Sequence, residues 1–370
     1  MEKKKERNNI VDIMKAIMII SVMIYHLIYR QQGSMFDRII REMIYLSMPL
    51  FFMFSGYFFK DKNEDTFWIS LGKRIWDISI VPFISIAILL IVFGPYYMLV
   101  YDGFTTKSWL ADVLNTYLRP EIMSVVLPDM TGNQLFNNLS PVWFIWTLTC
   151  STIVFFVVMR FVQDSNKKLL VSLVILLVCG VIIQELVPPL SWSLQLAPLY
   201  AGIMMMGVAL KRFNVLEKME KQSLTVSCVI MIVAAVLHFF IFTYFGSDLI
   251  YISFLGDKGY VTDIMFIIQV FIGGYVLLTL ARLINLSDYS KRCFTWVGRH
   301  TLVILLYHCL IGGIAADIMH TYNKPGPDWY ISPLTMEIVV KSIISFLIAV
   351  VGCVVLGISN DKLKEKHKRG

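Results

Sequence analysis

Charged residues are scarce in this sequence, and their scarcity excludes the commonest class of protein. Of 370 residues, 16% are Asp, Glu, Lys or Arg and 57% are hydrophobic, and the mean hydropathy is +0.68. A soluble globular domain has roughly a quarter of its residues charged. The sequence also lacks a fixed-period repeat, a low-complexity tract and any segment with the composition of a soluble domain. We therefore predict an all-α polytopic membrane protein in which one domain occupies residues 1–370.

The sequence also lacks the residue patterns that are typical of metal sites and nucleic-acid sites. The six cysteines form no CxxC pair and most lie inside apolar blocks, which is typical of small core residues. The formal net charge of +7 comes from short basic clusters between apolar blocks, and membrane topology accounts for these. We predict no metal site and no nucleic-acid partner.

What the sequence does contain is a series of long apolar segments, each long enough to cross a bilayer. They number ten, and a polar connection over residues 102–140 separates the third from the fourth. We place the segments at 10–29, 43–60, 76–101, 141–160, 168–187, 192–210, 223–246, 260–283, 296–319 and 334–357.

The distribution of Lys and Arg predicts the orientation of these segments. On a ten-span frame, 23 basic residues fall in the termini and loops of one side and seven in the loops of the other. Cytoplasmic loops carry the excess of Lys and Arg. Both termini are therefore predicted to be cytoplasmic, loop 102–140 is predicted to be outside, and the protein is predicted to lie in the cell membrane.

The first apolar segment carries ionisable residues, which are costly inside a membrane. Lys15 and His26 are eleven residues apart, so on a helix they share a face to within about 20° and lie roughly 16 Å apart along its axis. Asp12 is three residues before Lys15 and can pair with it. Two interpretations remain open: Lys15 and His26 extend to the two membrane surfaces, or they line a polar passage through the bundle.

Five blocks of sequence, in order, resemble the integral membrane acyltransferase 3 family. In the first block Lys15 and His26 stand where family members have a basic residue and a histidine separated by ten residues, although many members have Arg at the first position. The blocks are VDIMKAIMIISVMIYH, MPLFFMFSGYFF, GKRIWDISIVPF, SPVWFIWTL and VGRHTLVILLYHCL.

This resemblance implies a reaction and roles for particular residues. The family transfers an acyl group, most often acetyl, from a cytoplasmic acyl-CoA to a hydroxyl of an extracytoplasmic glycan or its lipid-linked precursor. His26 would be the catalytic residue, as general base or as acyl acceptor. Lys15, Lys73 and Arg74 would hold the phosphates of the donor, acetyl-CoA. Lys73 and Arg74 are equally explained as positive charges of a cytoplasmic loop.

Five further residues are candidates for substrate contacts, and most have a structural alternative. Asp12 can simply pair with Lys15. His308, deep in the ninth segment, can bond a neighbouring helix. Ser55 and Tyr57 flank Gly56, which we expect to permit close helix packing. Trp143 can belong to an interfacial aromatic belt.

Other classes of function remain open. The predicted partners are the lipid bilayer and the glycan acceptor, and further partners also remain open. A transporter or glycan exporter would use the polar face of the first helix as a permeation path, but no pair of broken spans marks two inverted halves. A purely structural subunit would not need ionisable residues on one face. The sequence leaves open a homodimer and a separate extracytoplasmic partner protein.

Overall fold

The computed structural model describes residues 8–28, 34–60, 66–81, 142–187, 190–252, 260–319 and 335–369, together with the isolated positions 84, 91–92 and 95. Within these ranges the chain is helical and has no strand. The helices are α1 Asn9–Leu27, α2 Met35–Tyr57, α3 Phe67–Ile75, α4 Val142–Val162, α5 Asn166–Leu186, α6 Ala197–Arg212, α7 Val215–Glu220, α8 Leu224–Ile252, α9 Tyr260–Ile284, α10 Asp288–Arg299, α11 Thr301–Ile318 and α12 Met336–Arg369. A π-helical turn, Trp76–Ile80, continues α3, and a 3₁₀ turn, Ser191–Leu196, precedes α6.

The prediction of an all-α polytopic membrane protein is confirmed. Among the described residues, eight helices are long and apolar enough to cross a membrane, and the bent pair α10–α11 makes a ninth if it counts as one span. These correspond to nine of the ten predicted segments. The remaining segment, 76–101, falls largely outside the described residues. The second helix begins at Met35, eight residues before the predicted start, and α12 runs on to Arg369.

The predicted ninth segment, 296–319, is wrong as a single helix. The chain bends by 79° between α10 and α11. At the bend the His300 N–H bonds to the Val297 carbonyl at 3.0 Å, and the Thr301 hydroxyl donates to the Gly298 carbonyl at 2.7 Å. Such local bonds compete with the regular helical ladder. As a result, α10 ends at Arg299 and the apolar helix begins only at Thr301.

Helix α1 lies at the centre of the bundle. It packs against α2, α9, α10, α11 and α12, and most of its side chains are buried. Its start is fixed by the Asn8 side chain, which accepts a hydrogen bond from the Ile10 N–H at 2.9 Å. This is the usual way in which an N-cap residue satisfies the first free backbone donors. The polar residues of α1 therefore face other helices.

Side-chain bonds join several loops at one end of the bundle. These are loops that the sequence assigns to the cytoplasmic side, so their proximity agrees with the predicted alternation. Which face of the membrane they occupy stays a prediction. The bonds run from Asn8 to Glu220, from Lys211 to the Phe59 carbonyl, from Arg212 to the Gln163 carbonyl and from Arg282 to the Gln222 carbonyl.

Two glycines allow α2 and α6 to cross in backbone contact. A Cβ atom on Gly56 would lie 1.8 Å from the Met204 carbonyl oxygen, and a Cβ on Gly207 would lie 1.8 Å from the Met53 oxygen. Small residues at such crossings are how membrane helices approach closely. The packing role expected for Gly56 is therefore confirmed.

Replacing Gly207 by alanine is expected to destabilise the bundle, because the new methyl group meets backbone and the helices must separate. Overpacking of this kind costs about 1–3 kcal/mol. Thermal unfolding in detergent should show a lower Tm for Gly207→Ala. The matched control is Gly72→Ala, because a Cβ on Gly72 would meet nothing within 4 Å. Equal Tm values for the two variants would contradict the inferred contact.

Candidate active site

A cluster of charges surrounds Asp12 at the end of the bundle where α1 begins. The Asp12 carboxylate is fully buried and lies 3.0 Å from the Lys15 ammonium group and 3.6 Å from the Arg299 guanidinium group. Arg299 is the last residue of α10, and the adjacent Gly298 holds α10 against α1. A Cβ on Gly298 would lie 1.9 Å from the Asp12 carbonyl oxygen. Only glycine permits this approach, which brings Arg299 to the carboxylate.

The direction of Lys15 separates the two interpretations of the first helix. Its side chain is 16% exposed and pairs with a carboxylate that is 0% exposed. Lys15 therefore faces the bundle interior, where a buried charge requires a partner. Asp12, Lys15 and Arg299 together carry one net positive charge. Lys15 therefore does not extend to the membrane surface, and a polar passage along α1 stays a prediction.

A second cluster lies near the opposite end of α1 and joins two helices. The His26 and His308 rings are 5.5 Å apart between centroids. His308 is fully buried and Cys309 is 5% exposed, whereas His26 is partly exposed. Nitrogen atoms of the two histidines and the Cys309 sulfur all lie within 4.8 Å of one another. His308 therefore joins His26, as its active-site interpretation requires.

Hydrogen bonds to the backbone fix the tautomer of neutral His308. Its Nδ1 lies 2.8 Å from the Ile304 carbonyl oxygen and 3.0 Å from the Leu305 carbonyl oxygen. Carbonyl oxygens only accept, so Nδ1 carries the proton and Nε2 carries the lone pair. Nε2 lies 3.2 Å from the Cys309 sulfur. His308 thus presents a proton acceptor to the cluster.

The same cluster has donor atoms of the kind that bind Zn²⁺, which takes imidazole nitrogen and thiolate sulfur. These atoms are His26 N, His308 N and Cys309 Sγ. Spacing along a single helix could not reveal this group, because its members come from α1 and α11. The absence of a metal stays a prediction.

The two clusters are held in register by α11, which runs beside α1 in the same direction. Gly298, just before the bend, packs on Asp12, and a Cβ on Gly312 would lie 2.3 Å from Leu27. Along α1 itself the clusters are separated by roughly 16 Å. The molecule therefore has a charged group and an imidazole group at two depths of one central helix.

Ser55 and Tyr57, two other predicted site residues, contact neighbours in their own part of the chain. The Ser55 hydroxyl donates to the Phe51 carbonyl at 3.0 Å, and the half-buried Tyr57 ring packs edge-on against Phe58 at 5.5 Å. Trp143 is the second residue of α4, and its side chain is outside the described part of the structure.

Lys73 and Arg74 lie in the last turn of α3, which packs against α4. Lys73 is exposed and Arg74 is half-buried. Burial lowers the pKa of the Arg74 guanidinium group, and the nearby Asp77 partly offsets this effect. An arginine remains protonated in any case. Both residues are positive charges available at this part of α3, while Arg299 supplies the second cation at Asp12.

Two residues of the clusters, Arg299 and Cys309, were missed by reasoning from the sequence. Both lie in the block VGRHTLVILLYHCL. The signal for Arg299 was its position just before an apolar run. The signal for Cys309 was its adjacency to an intramembrane histidine, which the assignment of all six cysteines to the core obscured.

Fold and site together define a multi-span helical membrane protein with buried ionisable groups at two depths of its central helix. The model of the acyltransferase 3 family, described as an acyltransferase domain, matches residues 8–358. The chain belongs to this family, and it is a multi-pass membrane acyltransferase. No curated protein and no solved structure matches it significantly.

Proposed function

We propose that the protein is an acetyl-CoA-dependent O-acetyltransferase that acetylates a hydroxyl of an extracytoplasmic glycan or its lipid-linked precursor. One observation carries the proposal: the Asp12–Lys15–Arg299 cluster and the His26–His308 pair lie at opposite ends of one buried helix. A donor with an anionic nucleotide at one end and a neutral thioester at the other needs groups of these two kinds.

The charged cluster suits the nucleotide end of the donor. The Lys15 ammonium group, 3.0 Å from the Asp12 carboxylate, places a cation at this end of α1. Arg299 is 48% exposed, so its planar guanidinium group can reach a phosphate in a bidentate manner. Lys73 and Arg74 provide further positive charge on α3. On this proposal the phosphates bind at this end, and the narrow pantetheine arm follows α1 towards His26.

At the other end His26 acts on the acceptor hydroxyl. The hydroxyl oxygen forms a bond to the thioester carbonyl carbon while His26 takes the hydroxyl proton. The carbon–sulfur bond of the thioester breaks, and the thiolate that leaves then takes up the proton from His26. The products are the acetyl ester and CoA-SH. An imidazole is suited to this exchange because its unperturbed pKa is about 6.5.

Acetyl-CoA is expected to raise the Tm of the purified protein, because a ligand that binds only the folded state stabilises it. At a concentration of 100 times Kd the gain is about 2.7 kcal/mol. Lys15→Gln should reduce the Tm shift. Lys15→Arg introduces the residue that many family members have at this position and should retain the shift. Thermal unfolding in detergent measures all three. No shift at millimolar acetyl-CoA would favour a transporter.

The decisive experiment offers acetyl-CoA with a labelled acetyl group to membranes that contain the protein and then analyses the glycans. Label in glycan as an ester released by mild base is the expected result. Membranes without the protein are the control. Unlabelled glycans from membranes whose protein still responds to acetyl-CoA in thermal unfolding would overturn the proposal.

A further inference from the structure

We propose that the Cys309 thiol is a nucleophile of this reaction and carries the acetyl group as a thioester between CoA and the acceptor. The inference rests on the proposed function, because it takes acetyl-CoA as the donor and a hydroxyl as the acceptor. The two histidines have separate roles: His308 accepts the proton of the thiol, and His26 accepts the proton of the acceptor hydroxyl.

The geometry around Cys309 is that of an activated nucleophile. Such a group lies within hydrogen-bond reach of a base, and a third group orients the base. The Cys309 sulfur is 3.2 Å from His308 Nε2. Two backbone carbonyls hold the opposite edge of the ring, at 2.8 and 3.0 Å from Nδ1. They force the lone pair onto the nitrogen that faces the sulfur.

Burial explains why the thiol needs this base. In apolar surroundings a cysteine is normally inert, because the thiolate is the nucleophile and burial disfavours it. Cys309 is 5% exposed. His308 Nε2 can take the thiol proton as the sulfur attacks. The thiolate and the imidazolium then form only as a hydrogen-bonded pair, so neither charge is buried alone. Within the described part of the chain, Cys309 is the one cysteine with a recorded hydrogen-bond contact to a histidine.

The reaction then has two balanced steps. First, the Cys309 sulfur bonds to the acetyl carbonyl carbon, the carbon–sulfur bond to CoA breaks, the thiol proton moves to His308 Nε2 and then to the departing CoA thiolate. Second, the acceptor hydroxyl attacks the Cys309 thioester, its proton moves to His26, and the Cys309 thiolate leaves and recovers the proton. The sum is transfer of one acetyl group from CoA to the acceptor.

The positions of the three side chains suit this order of steps. Exchange between two thioesters conserves the energy of the acyl bond, so the second step remains downhill. His308 and Cys309 are both buried, so little water reaches a thioester on Cys309, and this limits its hydrolysis. His26 is partly exposed and lies beside these two residues, so an acceptor can approach it from the space outside the core.

The first test needs no variant. Without acceptor, purified protein should exchange label between free CoA and acetyl-CoA, which a direct transfer mechanism cannot do. Protein quenched after exposure to acetyl-CoA should carry one acetyl group on the peptide that contains Cys309, released by neutral hydroxylamine. Absence of exchange alongside glycan acetylation would overturn the Cys309 proposal and leave the proposed function intact. Acetyl found on His26 would also overturn it.

The second test compares cysteine variants. Cys309→Ala should abolish exchange and peptide labelling, while Cys353→Ala, which removes another buried thiol, should preserve both. Cys309→Ser keeps the size of the side chain, and its Tm shows whether the fold survives. If folded Cys309→Ser and Cys309→Ala transfer acetyl to glycan at the wild-type rate, Cys309 is no nucleophile. If wild-type protein acetylates nothing, the proposed function itself fails.

Discussion

Replacing His26 by glutamine is expected to reduce acetyl transfer to glycan by about 10²- to 10⁴-fold, the range that a positioned general base contributes. Glutamine keeps a hydrogen-bonding group of similar length and has no basic nitrogen. The neighbouring ring, His308, cannot substitute, because its Nδ1 proton is held by two carbonyls and its Nε2 faces Cys309. The measurement is labelled acetyl in glycan, normalised to the amount of protein in the membrane.

A second buried histidine supplies the matched control. His238 lies in α8 and is 6% exposed, and its ring nitrogens have no hydrogen-bond partner among the residues that the structure describes. His238→Gln therefore changes a buried imidazole away from the two clusters and should retain transfer. His26→Gln should still show the Tm shift with acetyl-CoA, because the phosphate-binding end is unchanged. Wild-type transfer by His26→Gln would refute the role of His26 as general base and as acyl acceptor.

The features that the sequence predicted depend on one helix at a time. Lys15 and His26 share a face because helical geometry is fixed, and Asp12 pairs with Lys15 because it is three residues away. The length of an apolar segment likewise identifies a membrane span without reference to other helices. Each of these inferences needs only the local chain, and each agrees with α1 as the structure has it.

The features that the sequence missed depend on how helices meet. Arg299 reaches Asp12 because Gly298 lets α10 touch the α1 backbone, and Cys309 faces His26 because α11 packs beside α1. The rotation of one helix against another is set by packing along its whole length, which one sequence does not state. The bend at His300 was missed because it contains no proline, and local bonds of His300 and Thr301 produce it.

Asp12→Asn is expected to have the second large effect, because it removes the carboxylate between two cations. Breaking a buried ion pair costs 3–5 kcal/mol when the remaining charge stays buried, and since Arg299 is half exposed we expect about 2–4 kcal/mol. Thermal unfolding should show a much lower Tm. Asp288→Asn is the control, because Asp288 is exposed and pairs with Lys291 at the surface, where an ion pair is worth about 0–1 kcal/mol.

The same variant separates a structural charge cluster from one that binds phosphate. Without the Asp12 charge, Lys15 and Arg299 carry two net positive charges, so an anionic ligand should bind more tightly although the protein is less stable. We therefore expect a larger Tm shift with acetyl-CoA in Asp12→Asn than in wild type. Adding Lys15→Gln should recover part of the stability and lose the larger shift. If both variants show the wild-type shift, Lys15 only pairs with Asp12, and the phosphates bind elsewhere.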